Sequence, residues 1–268
     1  AIPDQDIVNC IRYAVRHRRA DGWMPDRVTT DGLAVYAAGI AAAPVGEANL
    51  DNTPFLIFTV DSLSRRMDPE AFLPLFTEWE ADLEQGLFLL PIDENGLVYN
   101  DVQKPHSPYG FTDTIGKTGT LYMESLLYWR ACRMMERMCK TYGIKNPDRF
   151  AKAAESIERS LSLLFDPAAG AFYAATKDCH QYDIWGMAYM LYIGFPCSAD
   201  EKQAVLSFLE KNYDACVYRG QVRHLLKGQY WERLLIDVEP ETYQNGAYWA
   251  TASGWMIWCL AQQNPALA

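Results

Sequence analysis

The sequence predicts an all-α fold, an (α/α) toroid of helical hairpins formed by residues 1–268 as one domain. Three observations predict it. Helical spacing of apolar residues dominates the 268-residue chain, and strand-like alternation is almost absent. The helical stretches alternate between charged amphipathic ones and ones that are apolar nearly all round. Each apolar stretch is introduced by an acid or amide beside an aromatic.

The charged stretches run from about Gln5 to Arg18, Asp68 to Glu84, Pro147 to Leu164 and Ala199 to Tyr213. In the third, Phe150, Ala154, Ile157, Leu161 and Leu164 line one side, opposite Lys152, Glu155, Glu158 and Arg159. Such a helix shows one face to water and the other to a core. The apolar stretches are Thr53 to Leu63, Leu121 to Met138, Tyr182 to Ile193 and Ala247 to Leu260. A helix apolar on every side is expected to be enclosed on every side. Leu121 to Met138 fits less well, because Arg130, Arg133, Glu136 and Arg137 crowd its second half. Short runs such as Gly170 to Ala174 read as loop hairpins. The alternation describes four hairpins, with inner helices wrapped by outer ones and helices covering more than half of the residues.

The introducing clusters are Asp51-Asn52-Thr53-Pro54-Phe55, Phe111-Thr112-Asp113, Tyr182-Asp183-Ile184-Trp185 and Tyr243-Gln244-Asn245-Gly246. Asp51, Asp113, Asp183 and Asn245 recur 62, 70 and 62 residues apart, one hairpin each time, which places all four clusters at one end of the barrel. Pro54 suits a first helical turn, and the three aspartates suit helix N-caps. Caps explain the acids but not the rings beside them. Carboxylates, amides and aromatics around one concave mouth suit carbohydrate, since polar groups take hydroxyls and rings stack on sugar faces.

Composition narrows the partners. The formal charge is −10, with 34 acids against 24 bases, and Arg16, His17, Arg18 and Arg19 make only a short basic cluster. That excludes a nucleic-acid footprint. No apolar run has the length and flanks of a membrane span. Seven cysteines, several within apolar helices (Cys132, Cys139, Cys259), read as reduced thiols rather than a disulfide framework. With no secretory leader visible in Ala1 to Asp6, they favour the cytoplasm, although the sequence leaves the location unknown. Asp178-Cys179-His180 lacks a CxxC or HxxxH companion, so no metal or other cofactor is expected.

Four motifs carry a resemblance. They are Asp21-Gly22-Trp23-Met24-Pro25, Leu50 to Phe55, and Tyr109-Gly110-Phe111-Thr112-Asp113 with the helix of Tyr122, Glu124 and Tyr128. The fourth is Tyr230-Trp231-Glu232 ahead of Glu239-Pro240-Glu241-Thr242 and Gln244 to Trp249. Across about residues 5 to 262 the chain resembles the six-hairpin (α/α)6-toroid glycosidases, the group of trehalase, glucoamylase and processing α-glucosidase I. The resemblance implies a glycoside hydrolase, inverting, acting on an α-glycosidic bond of an oligosaccharide or small glycoside through a carboxylate pair. It implies a general acid at Asp113, where Phe-Thr-Asp replaces the more usual Gly-Trp-Asp. It implies a general base at Glu232, with Leu234 where the family often has Tyr, and with Glu239 and Glu241 as rivals. Sugar contacts are expected from Trp23, Asp51, Asn52, Phe111, Lys117, Tyr182, Asp183, Trp185, Gln244, Asn245 and Trp249. The family barrel has six hairpins and four are recognisable here, so the toroid is expected to be incomplete at its N-terminal side. An open barrel exposes inner helices and favours a homodimer or a longer parent chain.

Two other readings remain at this stage. A sugar 2-epimerase-like isomerase needs histidines at the mouth as proton carriers, for which only His106 and His180 are placed. A non-catalytic carbohydrate-binding or scaffold protein would keep the rim without the chemistry. A toroidal prenyltransferase is disfavoured by the lack of an Asp-rich diphosphate motif.

Overall fold

The computed structural model describes residues 2–144 and 146–268. Its helices are α1 (Asp4–Arg16), α2 (Asn52–Ser64), α3 (Pro69–Leu87), α4 (Tyr122–Tyr142), α5 (Pro147–Ser160), α6 (Ile184–Tyr192), α7 (Ala199–Lys211), the single turn α8 (Tyr213–Cys216) and α9 (Ser253–Gln263). Together with the 3-10 turns Leu161–Leu164 and Pro265–Leu267, they take 47% of the residues, just short of the expected half. The shortfall lies in the long loops at one end, which also carry small two-stranded ribbons. One of these pairs Phe165–Asp166 with Ala171–Phe172, a loop hairpin as the sequence suggested.

The alternation of charged and apolar segments becomes two layers. Inner helices α2, α4, α6 and α9 form a row, with α4 packed between α2 and α6, and α6 against α9. The outer helices α1, α3, α5 and α7 cover that row from one side. Local signals set the helix ends. Asp68 accepts from the Glu70 amide ahead of Pro69, and Ser198 and Glu201 form a reciprocal capping box. Gly143 ends α4 at φ 66°, a left-handed conformation that favours glycine.

Residues Tyr122 through Trp129 of α4 are all buried, so this helix runs through the middle of the core. The charges of its second half, which fit the apolar pattern poorly, tie it to its neighbours. Arg133 pairs with Glu158 of α5 at 2.7 Å, and Arg137 pairs with Asp61 of α2 at 2.5 Å. Glu136 pairs within α4, with Arg133 and Lys140, and Arg130 meets Tyr189 of α6 and Phe58 of α2 without a carboxylate.

Two expectations need correction. The inner helices are not all enclosed, because the row has two ends. Phe55 on α2 is 41% exposed, and Ile257 and Trp258 on α9 are 51% and 39% exposed. Helices α2 and α9 instead face each other across a cleft bordered by Phe55 and Phe58 on one side and Trp255 on the other. The fourth inner helix also begins later than its apolar pattern, at Ser253 rather than Ala247. Trp249 cannot join it, since its backbone exchanges two hydrogen bonds with Val222 in an antiparallel bridge.

Candidate active site

The loops that introduce the inner helices meet at one end of the row, joined by side-chain hydrogen bonds. Asp51 directly precedes α2, yet its carboxylate does not cap that helix. Its Oδ2 accepts from the Gly110 amide at 2.8 Å, tying the first hairpin to the loop before α4. The Gln244 side chain, from the loop before α9, donates to the Gly110 carbonyl at 3.1 Å and to Asp113 Oδ1 at 2.6 Å. Its own oxygen accepts from the Thr114 amide and hydroxyl. Both polar atoms of the Gln244 side chain are thus used to hold Asp113 and its loop.

These carboxyl groups sit in a drying environment. Burial pushes Asp51 up to about 7, with the nearby Asp26 adding to the effect against the Gly110 hydrogen bond. Burial also raises Asp113, while the Gln244 hydrogen bond pulls it down. Rings surround them. Phe111 lies 5.9 Å from Trp249 and 5.7 Å from Tyr109, and Tyr243 meets Trp249 edge-on at 5.5 Å. Asp26, Asp51, Asn52 and Phe55 line a cleft of about 310 Å³, and Phe55 and Phe111 line a neighbouring one of about 350 Å³.

A buried polar layer lies in the same loop assembly. Lys117 Nζ donates to Glu124 Oε1 at 2.5 Å, both side chains being 1% exposed. Asp183 caps α6 through the Gly186 amide, and its carboxyl is raised by burial against the pull of Lys117. His224 is stacked on Trp185 with ring centroids 3.8 Å apart, and burial drives its imidazole well below the usual range. Asn52 and Asn245 are likewise spent on structure, donating to the carbonyls of Met24 and Tyr36 and of Val238.

Glu232 occupies a different position from Asp113 on the same assembly. The segment Thr114 to Gly116 pairs antiparallel with Arg233 to Leu235, which sets Glu232 beyond one end of the pairing and Asp113 beyond the other end. Glu232 Oε2 accepts from the amides of Cys179 and His180 at 2.9 and 3.0 Å. Glu241 is engaged through both oxygens, by Arg223 and by the Tyr230 hydroxyl, which hold its carboxyl below the usual range. Glu239 is exposed on the loop that carries Gln244.

Of the residues expected to touch sugar, Asp51, Phe111, Gln244 and Trp249 come together at the mouth around Asp113, the expected general acid. Three expected stacking rings are engaged in packing or hydrogen bonding instead of lying open at it. Trp23 is buried against His106, and Trp185 is buried between His224 and Phe111. Tyr182 points to the Phe165–Phe172 ribbon, where its hydroxyl donates to Asp166. The two histidines placed near the rim are also engaged elsewhere. His106 donates to the Ala48 carbonyl, and His180 packs on Tyr173. Among the described residues no histidine lines either cleft, so the isomerase reading loses its proton carriers. Asp26 and Arg130 escaped the sequence reading. Asp26 follows the Asp21 to Pro25 motif directly, and Arg130 stood out only as a misfit in an apolar helix.

Comparison of the whole fold places it. The structure is similar to a mannosylglycerate hydrolase of Thermus thermophilus in complex with glucose, with TM-score 0.67 and 13% identity over 98% of this chain and 78% of that one. It is also similar to a rhamnosidase from Klebsiella oxytoca with rhamnose bound, with TM-score 0.59 and 13% identity over 77% of this chain and 37% of that one. A third similar structure is the GH78 rhamnosidase of Bacillus sp. GL1, with TM-score 0.56 and 13% identity over 95% of this chain and 29% of that one. The fold, an α/α toroid of helical hairpins, is shared with these glycoside hydrolases. This chain spans about a third of the length of the two rhamnosidases. No family model matches the sequence, and comparison with curated proteins found no match. The row α2, α4, α6, α9 supplies four inner helices, and the mouth is the end where their introducing loops converge. No helix among the described residues is long and apolar enough to cross a membrane.

Proposed function

We propose that the mouth is the active site of a glycoside hydrolase that cleaves an α-glycosidic bond of an oligosaccharide or small glycoside with inversion. The observation that carries this reading is Asp113, a half-buried carboxyl raised by burial, fixed by Gln244 at 2.6 Å and set beside Phe111 and Trp249. A raised carboxyl is suited to donating a proton to a leaving oxygen. The likeness to sugar-bound hydrolases of the same fold supports the substrate class.

Inversion needs a second carboxylate that stays ionised and activates water from the opposite face. Glu232 is the proposed base, with Glu239 and Glu241 as rivals. Glu232 and Asp113 lie beyond opposite ends of the short Ile115–Leu234 pairing. An inverting pair requires its carboxyl groups roughly 6.5–9.5 Å apart, and this reading requires Asp113 and Glu232 to meet that span. The Glu232 Oε1 atom makes no hydrogen bond to the described residues, which leaves it for water.

A glycoside screen with the product anomer followed by NMR tests the reaction. Asp113→Asn and Glu232→Gln should fold, bind substrate and each lose about 10²–10⁴ in rate. A substrate with a good leaving group should restore much of the Asp113→Asn activity and none of the Glu232→Gln activity. Azide should rescue Glu232→Gln alone. A fully active Glu232→Gln moves the base to Glu239 or Glu241, and full activity in both variants removes the hydrolytic reading.

A further inference from the structure

Arg130 sits on α4, two turns below the mouth, where it borders the cleft of about 350 Å³ together with Phe55, Phe58, Phe111, Tyr189 and Trp255. It is half-buried, and among the described residues it has no carboxylate within ion-pair distance. Every other described arginine is either paired with a carboxylate or exposed to water. No acidic residue lines this cleft. Burying a cation without a counter-charge is costly, so such a group is ordinarily paired.

The protein holds this cation in place without neutralising it. The guanidinium carbon lies 5.0 Å from the centroid of the Phe58 ring and 5.7 Å from that of Tyr189, and one of its nitrogens donates to the Tyr189 hydroxyl at 3.0 Å. A guanidinium has five N–H donors in a planar fork, and this contact uses one of them. The remaining donors match a carboxylate, which the fork takes with two parallel hydrogen bonds. Phe111, one of the rings at the mouth, borders the same cleft as the guanidinium, so a sugar ring and its acid group can share one site. Phe111 connects this cleft to Asp113, two residues further along the chain, and Phe55 borders both this cleft and the one that holds Asp51.

We infer that the cleft selects an acidic sugar, a glycoside whose uronic acid carboxylate is read by Arg130. The inference rests on the glycosidase reading for its sugar and adds the charge of the substrate.

The test is calorimetric titration at low ionic strength of D-glucuronate against D-glucose and of D-galacturonate against D-galactose, with inorganic phosphate as a further ligand. The parent, Arg130→Gln and Arg130→Lys are compared, each with its melting temperature. The acidic sugars should bind the parent about tenfold more tightly than their neutral partners. That preference should vanish in Arg130→Gln, survive in part in Arg130→Lys, which keeps the charge without the fork, and weaken with added salt. Because Arg130 has no ion pair to lose, both variants should melt close to the parent; if Arg130→Gln unfolds, Arg130→Lys carries the comparison. Equal binding of neutral and acidic sugars overturns the inference and leaves the glycosidase reading standing. A preference that survives in Arg130→Gln also overturns it, as does phosphate binding with no uronate binding. Uronate bound through Arg130 with no hydrolysis of any uronoside upholds the inference and removes the hydrolase reading. No binding of either kind of sugar overturns both.

Discussion

Gln244 Nε2 donates to Asp113 Oδ1 at 2.6 Å across 131 residues of sequence, so the loop before the last inner helix positions the proposed proton donor of the second. This contact favours the ionised carboxyl and therefore opposes the burial that raises it. In Gln244→Met, Asp113 should hold its proton to higher pH, and the basic limb of the kcat/KM profile should move up. The rate should fall by about tenfold to a hundredfold as the carboxyl loses its anchor. A pH–rate profile with an unmoved basic limb would show that Asp113 is not the group whose ionisation it reports.

Two tryptophans of the rim sequence are expected to behave differently. Trp185 is fully buried and stacked on His224, so Trp185→Ala should cost about 3–5 kcal/mol of stability through the cavity it leaves. Trp249 is half-buried at the mouth, and its bridge to Val222 uses only backbone atoms. Trp249→Ala should therefore stay folded and lose about 1–3 kcal/mol of sugar affinity. Melting curves beside binding isotherms separate the two effects. Unchanged affinity in a folded Trp249→Ala would exclude that ring from the site.

Asp51 makes stability depend on pH. Its carboxyl, near 7 in the folded protein, keeps a proton that the unfolded chain releases from about 4 upward. The folded state therefore binds more protons across that window. The contribution is complete below about pH 4 and is lost as pH rises towards 7. The change amounts to at most about 4 kcal/mol, at about 1.4 kcal/mol per pH unit. Asp51→Asn, which still accepts from the Gly110 amide, lacks this titration. Its melting temperature should gain on the parent steadily between pH 4 and 7, and a constant difference would mean that Asp51 titrates as an ordinary surface acid.

The layering of the fold was legible because it rests on period and polarity, which single segments carry. The meeting of Asp51, Asp113 and Gln244 was also legible, since the hairpin repeat puts their loops at one end. Ring direction was not. Whether Trp23, Trp185 or Tyr182 faces the mouth depends on what lies behind it. His106 and His224 come from distant parts of the chain, and Asp166 from a ribbon 16 residues before Tyr182. The start of the last inner helix was hidden for a similar reason. Residues 247–252 are apolar enough for a helix, but Val222 claims the Trp249 backbone. Arg130 broke the apolar pattern of α4 in the sequence, and only the fold separates it from Arg133 and Arg137, which find carboxylates.

The row of inner helices has ends, at α2 and α9, and that changes how the molecule comes apart. A closed ring braces each hairpin from both sides, whereas a linear array lets its outermost members loosen first, each held by one neighbour. Helices α4 and α6, each flanked on both sides, are then the last to open. The mouth draws Asp51 from the start of this array and Gln244 from near its finish, joined through Gly110. Fraying at either terminus therefore dismantles the mouth before the centre melts, so catalytic competence should vanish well ahead of bulk helicity on warming.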